Sequence, residues 1–501
     1  MAGQGRPARR YHGQGACVPL AFAMRYPDKR IMTGLDIGEK QTGVEARAAA
    51  HEPQGWRHHF SETIRLGLPL AGAQLAQIAL NATDVVMLGW YGTRELAASV
   101  LATQFFFLVM MFGSGFANAI IPLAASAHGV GDTRQVRRAV RMGVWVILVY
   151  ATLAMPLLWF LEPILILLGQ DPDLSAIAAD YIHIAQWALY PALFTLVMRS
   201  FLASVGSARM VLIAALIGVV VNAVLDYALI FGRFGAPELG VKGAAIATLG
   251  TALAIAIVMA GHAAWSSRLR VYEIFIRFWR PEWPAFLEII RLGLPISLTI
   301  IAEAGLFMAA SLMIGWIGRD ELAAHGIALQ LVSIAFMIPY GLSSVAAVRV
   351  GQAHGRRDRI GIARAAFAVM SVALAVSVAG AILFWTLPAP LVGLFLGDDD
   401  PARARVLALG VTFLAIGALF QVVDCMQAIG AGLLRGLRDT RQPMIIAVFS
   451  YWCIGAVAAY GLAFPLGLAG AGVWTGLALG LTVAAILLNY RFYRREAYGL
   501  V

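Results

Sequence analysis

Four carboxylates interrupt stretches that are otherwise apolar enough for a membrane interior: Asp84, Asp226, Glu303 and Asp424. A charge at the bilayer centre costs about 3 kcal/mol on insertion scales, so an acid there faces the protein interior and marks an ion or substrate path. Such a group can hold and release a proton, or it can coordinate a small hard cation through oxygen. Asp84 has polar company: Gln74, Gln77, Asn81 and Asp84 recur at steps of three, four and three, which places them on one stripe of a helix. Asn222 precedes Asp226 by one turn and shares its face. The competing reading of each acid is a neutral carboxyl that only hydrogen-bonds between helices. His325 reads as a packing or interfacial histidine, and Phe105, Phe106, Phe107, Met110 and Met111 as lipid-facing or core residues that also suit the wall of a cleft for apolar cations.

These side chains must be positioned by membrane-spanning helices. Over 501 residues, 60% are hydrophobic and 13% charged, and the mean hydropathy is +0.77, far outside the soluble range. Twelve hydrophobic spans of about 20 residues are expected at 64–90, 100–125, 142–161, 179–203, 210–231, 241–264, 290–317, 325–347, 363–387, 406–434, 443–464 and 468–490. The loops after even-numbered spans carry most of the basic residues, including Arg134, Arg137, Arg138 and Arg141, then Arg268, Arg270, Arg277 and Arg280, then Arg356, Arg357 and Arg359. By the positive-inside rule both termini are cytoplasmic, and the Asp398–Asp400 run falls outside. Dispersed arginines of this kind account for the net charge of +10 without nucleic acid. Residues 1–58 read as a basic, disordered extension. Cys17, Cys425 and Cys453 make no spaced pair, so neither a disulfide framework nor a zinc site is indicated. The absence of a phosphate-cradling loop or a nucleophile–base motif argues against ATP coupling in this chain and against an enzyme.

The two halves repeat. TIRLGLP at 63–69 matches IIRLGLP at 289–295, MLGWYGTRELAA at 87–98 matches MIGWIGRDELAA at 313–324, and AHGVGD at 127–132 matches AHGRRD at 353–358, all at an offset of 226. GVKGAAIAT at 240–248 pairs with GLAGAGVWT at 467–475 at an offset of 227. Six spans per half give two parallel six-helix bundles around a central cleft, which is a construction for alternating access. The expected domains are 59–270 and 289–501, with a linker over 271–288. Depth along the spans brings Asp84, Asp226 and Thr248 to one level in the outer half of the first bundle, with Asn222 one turn deeper on the face of Asp226, so that the four could form an oxygen-rich site for a proton or a cation such as Na+. Glu303 and Asp424 lie deep in the second bundle. At the repeat offset Asp84 corresponds to Ala310 and Glu303 to Gln77, so the halves share a scaffold but not a site.

The chain resembles the multidrug and toxic compound extrusion (MATE) transporters of the bacterial multidrug type. The resemblance covers about residues 60–490 and rests on the Pro69 and Asp84 pattern, VNAVLDYALIFG at 221–232, GVKGAAIAT at 240–248, PISLTIIAEAGLF at 295–307 and DCMQAIGAGLLRGLRDTRQP at 424–443. It implies two six-helix lobes around a central cavity and a secondary antiporter that exports cationic amphipathic compounds in exchange for H+ or Na+; the expected place is the inner membrane, no cofactor is expected, and a monomer can suffice for this architecture. Asp84, Asn222, Asp226 and Thr248 match the family's first-lobe cation site, and Glu303 and Asp424 match acids of the second lobe. One departure is Phe420, where some sodium-coupled members carry a tyrosine one turn before the second-lobe aspartate. The alternative within the superfamily is a lipid-linked oligosaccharide flippase, which would need a broad basic cavity. An integral membrane enzyme is the more distant alternative.

Overall fold

The computed structural model describes residues 55–397 and 401–501. The expected extension therefore lies outside the described residues as far as residue 54, as does the Asp398–Asp400 run. The first half comprises α1 (Trp56–Tyr91), α2 (Thr93–Asn118), α3 (Ile120–Gly129), α4 (Thr133–Trp159), α5 (Leu161–Leu167), α6 (Pro172–Ala185), α7 (Leu189–Ser204), α8 (Ala208–Ile230) and α9 (Val241–Trp265). The second comprises α10 (Trp283–Ile317), α11 (Arg319–Gly355), α12 (Arg359–Thr386), α13 (Pro388–Gly393), α14 (Arg403–Gly436), α15 (Arg441–Val448), a π-helical stretch (Phe449–Ala456), α16 (Val457–Ala463) and α17 (Ala469–Tyr493).

Eleven segments among the described residues are long and apolar enough to cross a membrane. The twelfth crossing is α1, whose apolar run is diluted by Gln74, Gln77, Asn81 and Asp84. α2 and α3 form one crossing, α6 and α7 another, and α15 to α16 another. The fold is all-α, with two six-crossing bundles.

Local signals recur at the repeat distance. Asp132 and Asp358 cap the starts of α4 and α12 by accepting from Gln135 N at 2.9 Å and Gly361 N at 2.7 Å, as short acidic side chains do at helix N-termini. Pro69 and Pro295 lie inside α1 and α10, where each removes a backbone donor and loosens its helix at the same place.

The seam between the bundles follows the same symmetry. Gly341 of α11 packs so closely on α1 that a Cβ there would lie 2.8 Å from Ala71 N, and its repeat partner Gly115 stacks equally tightly on Ser297 of α10. Gly67 meets Leu342 as Gly293 meets Phe116, and Gly129 meets the Gln352 backbone as Gly355 meets that of Ser126. Polar contacts reinforce the arginine-rich end. Arg349 donates to His59 O at 2.7 Å, Gln352 to Ser204 O at 2.9 Å, and Arg438 to Ser126 Oγ at 2.6 Å. Toward the opposite end the glycines meet only their own half: Gly89 and Gly92 face Leu96 and Glu95, while Gly315 and Gly318 face Leu322 and Glu321. The close backbone contacts between the bundles that these glycines make therefore lie at the end bearing the arginines.

The connection between them is strapped to the first half. Arg137 pairs with Glu273 at 2.5 Å and Arg138 with Glu282 at 2.6 Å. Arg141 also binds Glu282 and donates to Arg277 O at 3.2 Å. Trp145 donates to Phe278 O at 2.9 Å and stacks on its ring. Burial pushes the Tyr272 phenol up, and its hydroxyl is hydrogen-bonded with His128 Nδ1 at 2.7 Å.

Gly341→Leu would force a side chain into the α1 backbone, and overpacking of this kind costs about 1–3 kcal/mol. The substitution should part the seam. A cysteine at Ser297, in a background without Cys17, Cys425 and Cys453, should then react with a soluble maleimide several-fold faster than when Gly341 is retained. Equal rates would show that the glycine seam does not close this end.

Candidate functional site

The polar stripe of α1 divides by partner. Gln74 is buried and accepts from Arg199 of α7 at 2.5 Å. Gln77 and Asn81 are exposed, and Asp84 is half-buried. α8 carries Asn222 and Asp226 on its buried face, one turn apart, with Asp226 fully enclosed. Packing of α8 on α1 brings the three together. Asn222 Nδ2 donates to Asp84 Oδ1 at 2.8 Å, and the carboxyls of Asp84 and Asp226 lie within interaction range of each other.

The donor supply is short. Neither oxygen of Asp226 accepts a hydrogen bond of good geometry among the described residues, and Asn222 Oδ1 is likewise without a donor. Ionised carboxyls only accept, so a proton between the two acids, or a cation beside them, is what would satisfy this cluster. The donor set is entirely oxygen and suits a proton or a hard cation alike. Thr248 joins the cluster indirectly. Its hydroxyl donates to Ala244 O at 3.0 Å and lies 3.4 Å from Tyr181 Oη, and buried Tyr181 is within electrostatic reach of both acids.

In the second half, Glu303 of α10 and Asp424 of α14 also come together. Asp424 is buried with Oδ1 unpartnered, and Glu303 lies within electrostatic reach of it. Arg435 of α14 also faces Glu303, and buried Tyr451 faces both acids while accepting from Gln427. Tyr451 sits in the π-helical stretch, a feature often found where a helix re-aims a side chain at a site. Phe420, one turn before Asp424, is fully buried and packs edge-on against Phe307 and Trp474 at 6.0 and 5.9 Å. His325 is a packed residue: it is buried, its Nε2 is 3.0 Å from Ser311 Oγ, and its ring meets Trp474 edge-on.

Sequence reasoning missed Arg199 and Arg435, although a charge inside an apolar span is the signal that found the acids. It also missed Tyr181 and Tyr451, and nothing local distinguishes those two among 14 tyrosines. Among the described residues, no group of three or more His, Cys, Asp or Glu side chains is placed to hold a metal ion.

Twelve crossings in two like halves, in close contact at one end and carrying acids within the bundles, have the construction of a membrane transporter. The MatE family signature matches residues 69–228 and again 295–461, and the chain belongs to the MATE family. Among its relatives, the probable multidrug resistance protein NorM of Rhizobium meliloti (strain 1021) is 51% identical over 453 residues, covering 90% of this chain and 97% of the relative. The protein of the same description from Agrobacterium fabrum is 47% identical over 451 residues, with the same coverage. A crystal structure of MATE in the straight conformation superposes with a TM-score of 0.79 at 19% identity, covering 88% of this chain and 96% of that one. The eukaryotic MATE transporter AtDTX14 gives 0.77 at 20% identity, covering 89% and 100%. These two likenesses concern the fold alone.

If Asp226 is under-supplied with donors, Asp226→Asn should leave thermal stability in detergent unchanged or raised, because it adds a donor where only acceptors meet. Asn222→Leu removes the donor to Asp84 and should lower stability by about 1–3 kcal/mol, the cost of an unsatisfied buried polar group. Thermal unfolding of the purified variants reads both, and a large loss in Asp226→Asn would contradict the assignment.

Proposed function

We propose that this protein is a secondary antiporter of the inner membrane that exports cationic amphipathic compounds in exchange for H+ or Na+. The observation that carries the reading is that Asp84 and Asp226 face each other, with Asn222 donating to Asp84. Two acids so placed bind a cation well and part with it when the surrounding helices move. The printed description of the relatives, multidrug resistance protein, supports a drug as the exported substrate.

With both termini cytoplasmic, the end away from the glycine contacts faces outward, and the first-bundle acids lie in the outer half. Exchange then runs as follows. A proton or Na+ from outside joins Asp84 and Asp226, supported by Asn222 and, through Tyr181, by Thr248. Neutralisation changes the packing of α1 on α8 and lowers affinity for a cationic substrate, which leaves. The ion-loaded carrier closes outward, opens inward, and sheds the ion. Coupling needs only that ion and substrate favour different states. Glu303 and Asp424 offer a second pair of acids on the facing bundle, where a cationic substrate or a further ion can be held. A single chain contains all of these parts, in keeping with a monomer.

A flippase for pyrophosphate-linked lipids would need free basic groups within the spans. Arg199 is engaged by Gln74 and Arg435 faces Glu303, so this reading is the weaker one.

Ethidium efflux from pump-deficient cells, measured with and without Na+ and across an imposed pH gradient, tests the proposal. Efflux should depend on one of the two ions, and Asp84→Asn should reach the membrane in normal amount while losing substrate-dependent ion flux. Normal export by Asp84→Asn would sink the mechanism.

A further inference from the structure

Apart from both acidic clusters, a surface groove of about 490 Å³ opens at the arginine-rich end, where the start of α12 meets Trp56 and the tail after α17; it is lined by Trp56, Arg359, Ile360, Arg364, Phe367 and Arg495. Its chemistry is mixed in a specific way. Arg359 is exposed and donates to Val501 O at 3.4 Å, and Arg495 donates to Phe492 O at 3.3 Å while its Nε is buried without an acceptor. Neither meets a side-chain carboxylate among the described residues. The Arg364 guanidinium lies 5.7 Å above the Trp56 ring, which in turn meets Phe367 edge-on at 5.3 Å. Of the lining side chains among the described residues, Glu496 alone is acidic, and neighbouring Asp358 is occupied in capping α12.

The basic end is continuous with an apolar face. Ile360, Phe367, Leu374 and Val378 are exposed and, at steps of seven, seven and four, lie on one side of α12. From Ile360 to Leu374 the face runs about 21 Å at 1.5 Å per residue, enough to cover the roughly 15 Å of hydrocarbon in one leaflet. The tryptophan stands at the boundary between the two zones, where such rings anchor helices at the membrane surface.

We propose that this groove is a binding site for an anionic phospholipid, with its phosphate on Arg359 and Arg495 and its acyl chains along the α12 face. Guanidinium forks match phosphate oxygens in pairs. A zwitterionic lipid presents its own cation to Arg359 and Arg495, and inorganic phosphate has no chain to lay on α12. The site does not depend on what the protein transports.

The full-length protein in detergent micelles, examined by native mass spectrometry with added phosphatidylglycerol or phosphatidylcholine, provides the test. Phosphatidylglycerol should be retained preferentially. At about fivefold per arginine, Arg359→Gln with Arg495→Gln should lower its occupancy by more than tenfold, while replacing both by lysine should keep most of it. Ala363→Glu, which sets a carboxylate in the groove without removing an arginine, should also release the lipid. Arg134→Gln with Arg280→Gln removes the same charge from exposed positions outside the groove and should have no effect. Equal retention of phosphatidylcholine, equal loss in the control pair, no loss in the groove variants, or displacement by inorganic phosphate alone would each overturn the proposal.

Discussion

Two carboxyl groups facing each other within a membrane-spanning bundle, beside one amide, cannot both stay ionised without a positive charge in their midst. That constraint governs α1 and α8. In a low-dielectric setting their repulsion is far stronger than in water, and a proton or cation taken up by either belongs to the pair rather than to one residue. Occupancy of the site and the fit of α1 on α8 are thus one equilibrium. The same α1 carries Gly67 and Ala71 at the seam, about 20–26 Å away along a continuous helix at 1.5 Å per residue, with Pro69 between them. A single rod therefore bears both the ion-sensitive contact and the inter-bundle contact, and its weakest backbone point lies at the latter.

The repeat supplies symmetry where packing requires it and abandons it where chemistry does. Close backbone approach at the seam tolerates only small residues, and each such position is matched by its partner 226 residues on: Gly67 with Gly293, Gly115 with Gly341, Gly129 with Gly355. No comparable steric demand preserves an acid. At the place of Asp84 the second half has Ala310, fully buried, with His325, Ser311 and Trp474 packed nearby. Its acids are drawn instead from α10 and α14, and Glu303 lies within reach of Arg435, whereas no such cation faces the Asp84–Asp226 pair among the described residues. The second cluster consequently has an internal counter-charge, and the first must find its positive charge elsewhere.

This division explains what could be read from the residues. Crossings and repeat were legible because twenty-residue apolar runs and near-identical segments at one fixed offset are strong local signals. The first-half acids were legible because depth along a span follows from counting residues, and Asn222 followed from its one-turn spacing to Asp226. Thr248 was expected at the level of the acids, but its hydroxyl points along its own helix to Ala244 and reaches toward them through Tyr181, a detail of rotamer and inter-helix rotation that spacing does not carry. Tyr451 was hidden for a related reason: a π-helical stretch shifts the face on which a side chain emerges, so helical periodicity alone misassigns it. The close contact of the bundles at one end was also invisible, because glycine spacing alone does not show which neighbour each glycine meets.

The strap between the bundles bears on how they can move. A lone surface ion pair contributes little, but here Arg137, Arg138 and Arg141 act together on Glu273 and Glu282, with Arg141 only 5% exposed. Trp145 adds a stacked ring and a hydrogen bond to Phe278. While these contacts hold, the strap is part of the first bundle in mechanical terms, and its effective free length shrinks to the junction at Trp283, where α10 begins. Motion of one bundle against the other is then concentrated at that junction and at the seam. A long flexible connection would let the bundles separate, whereas a connection fixed this close to the joined end restricts them to rocking about it, the kind of movement that opens one face as it closes the other.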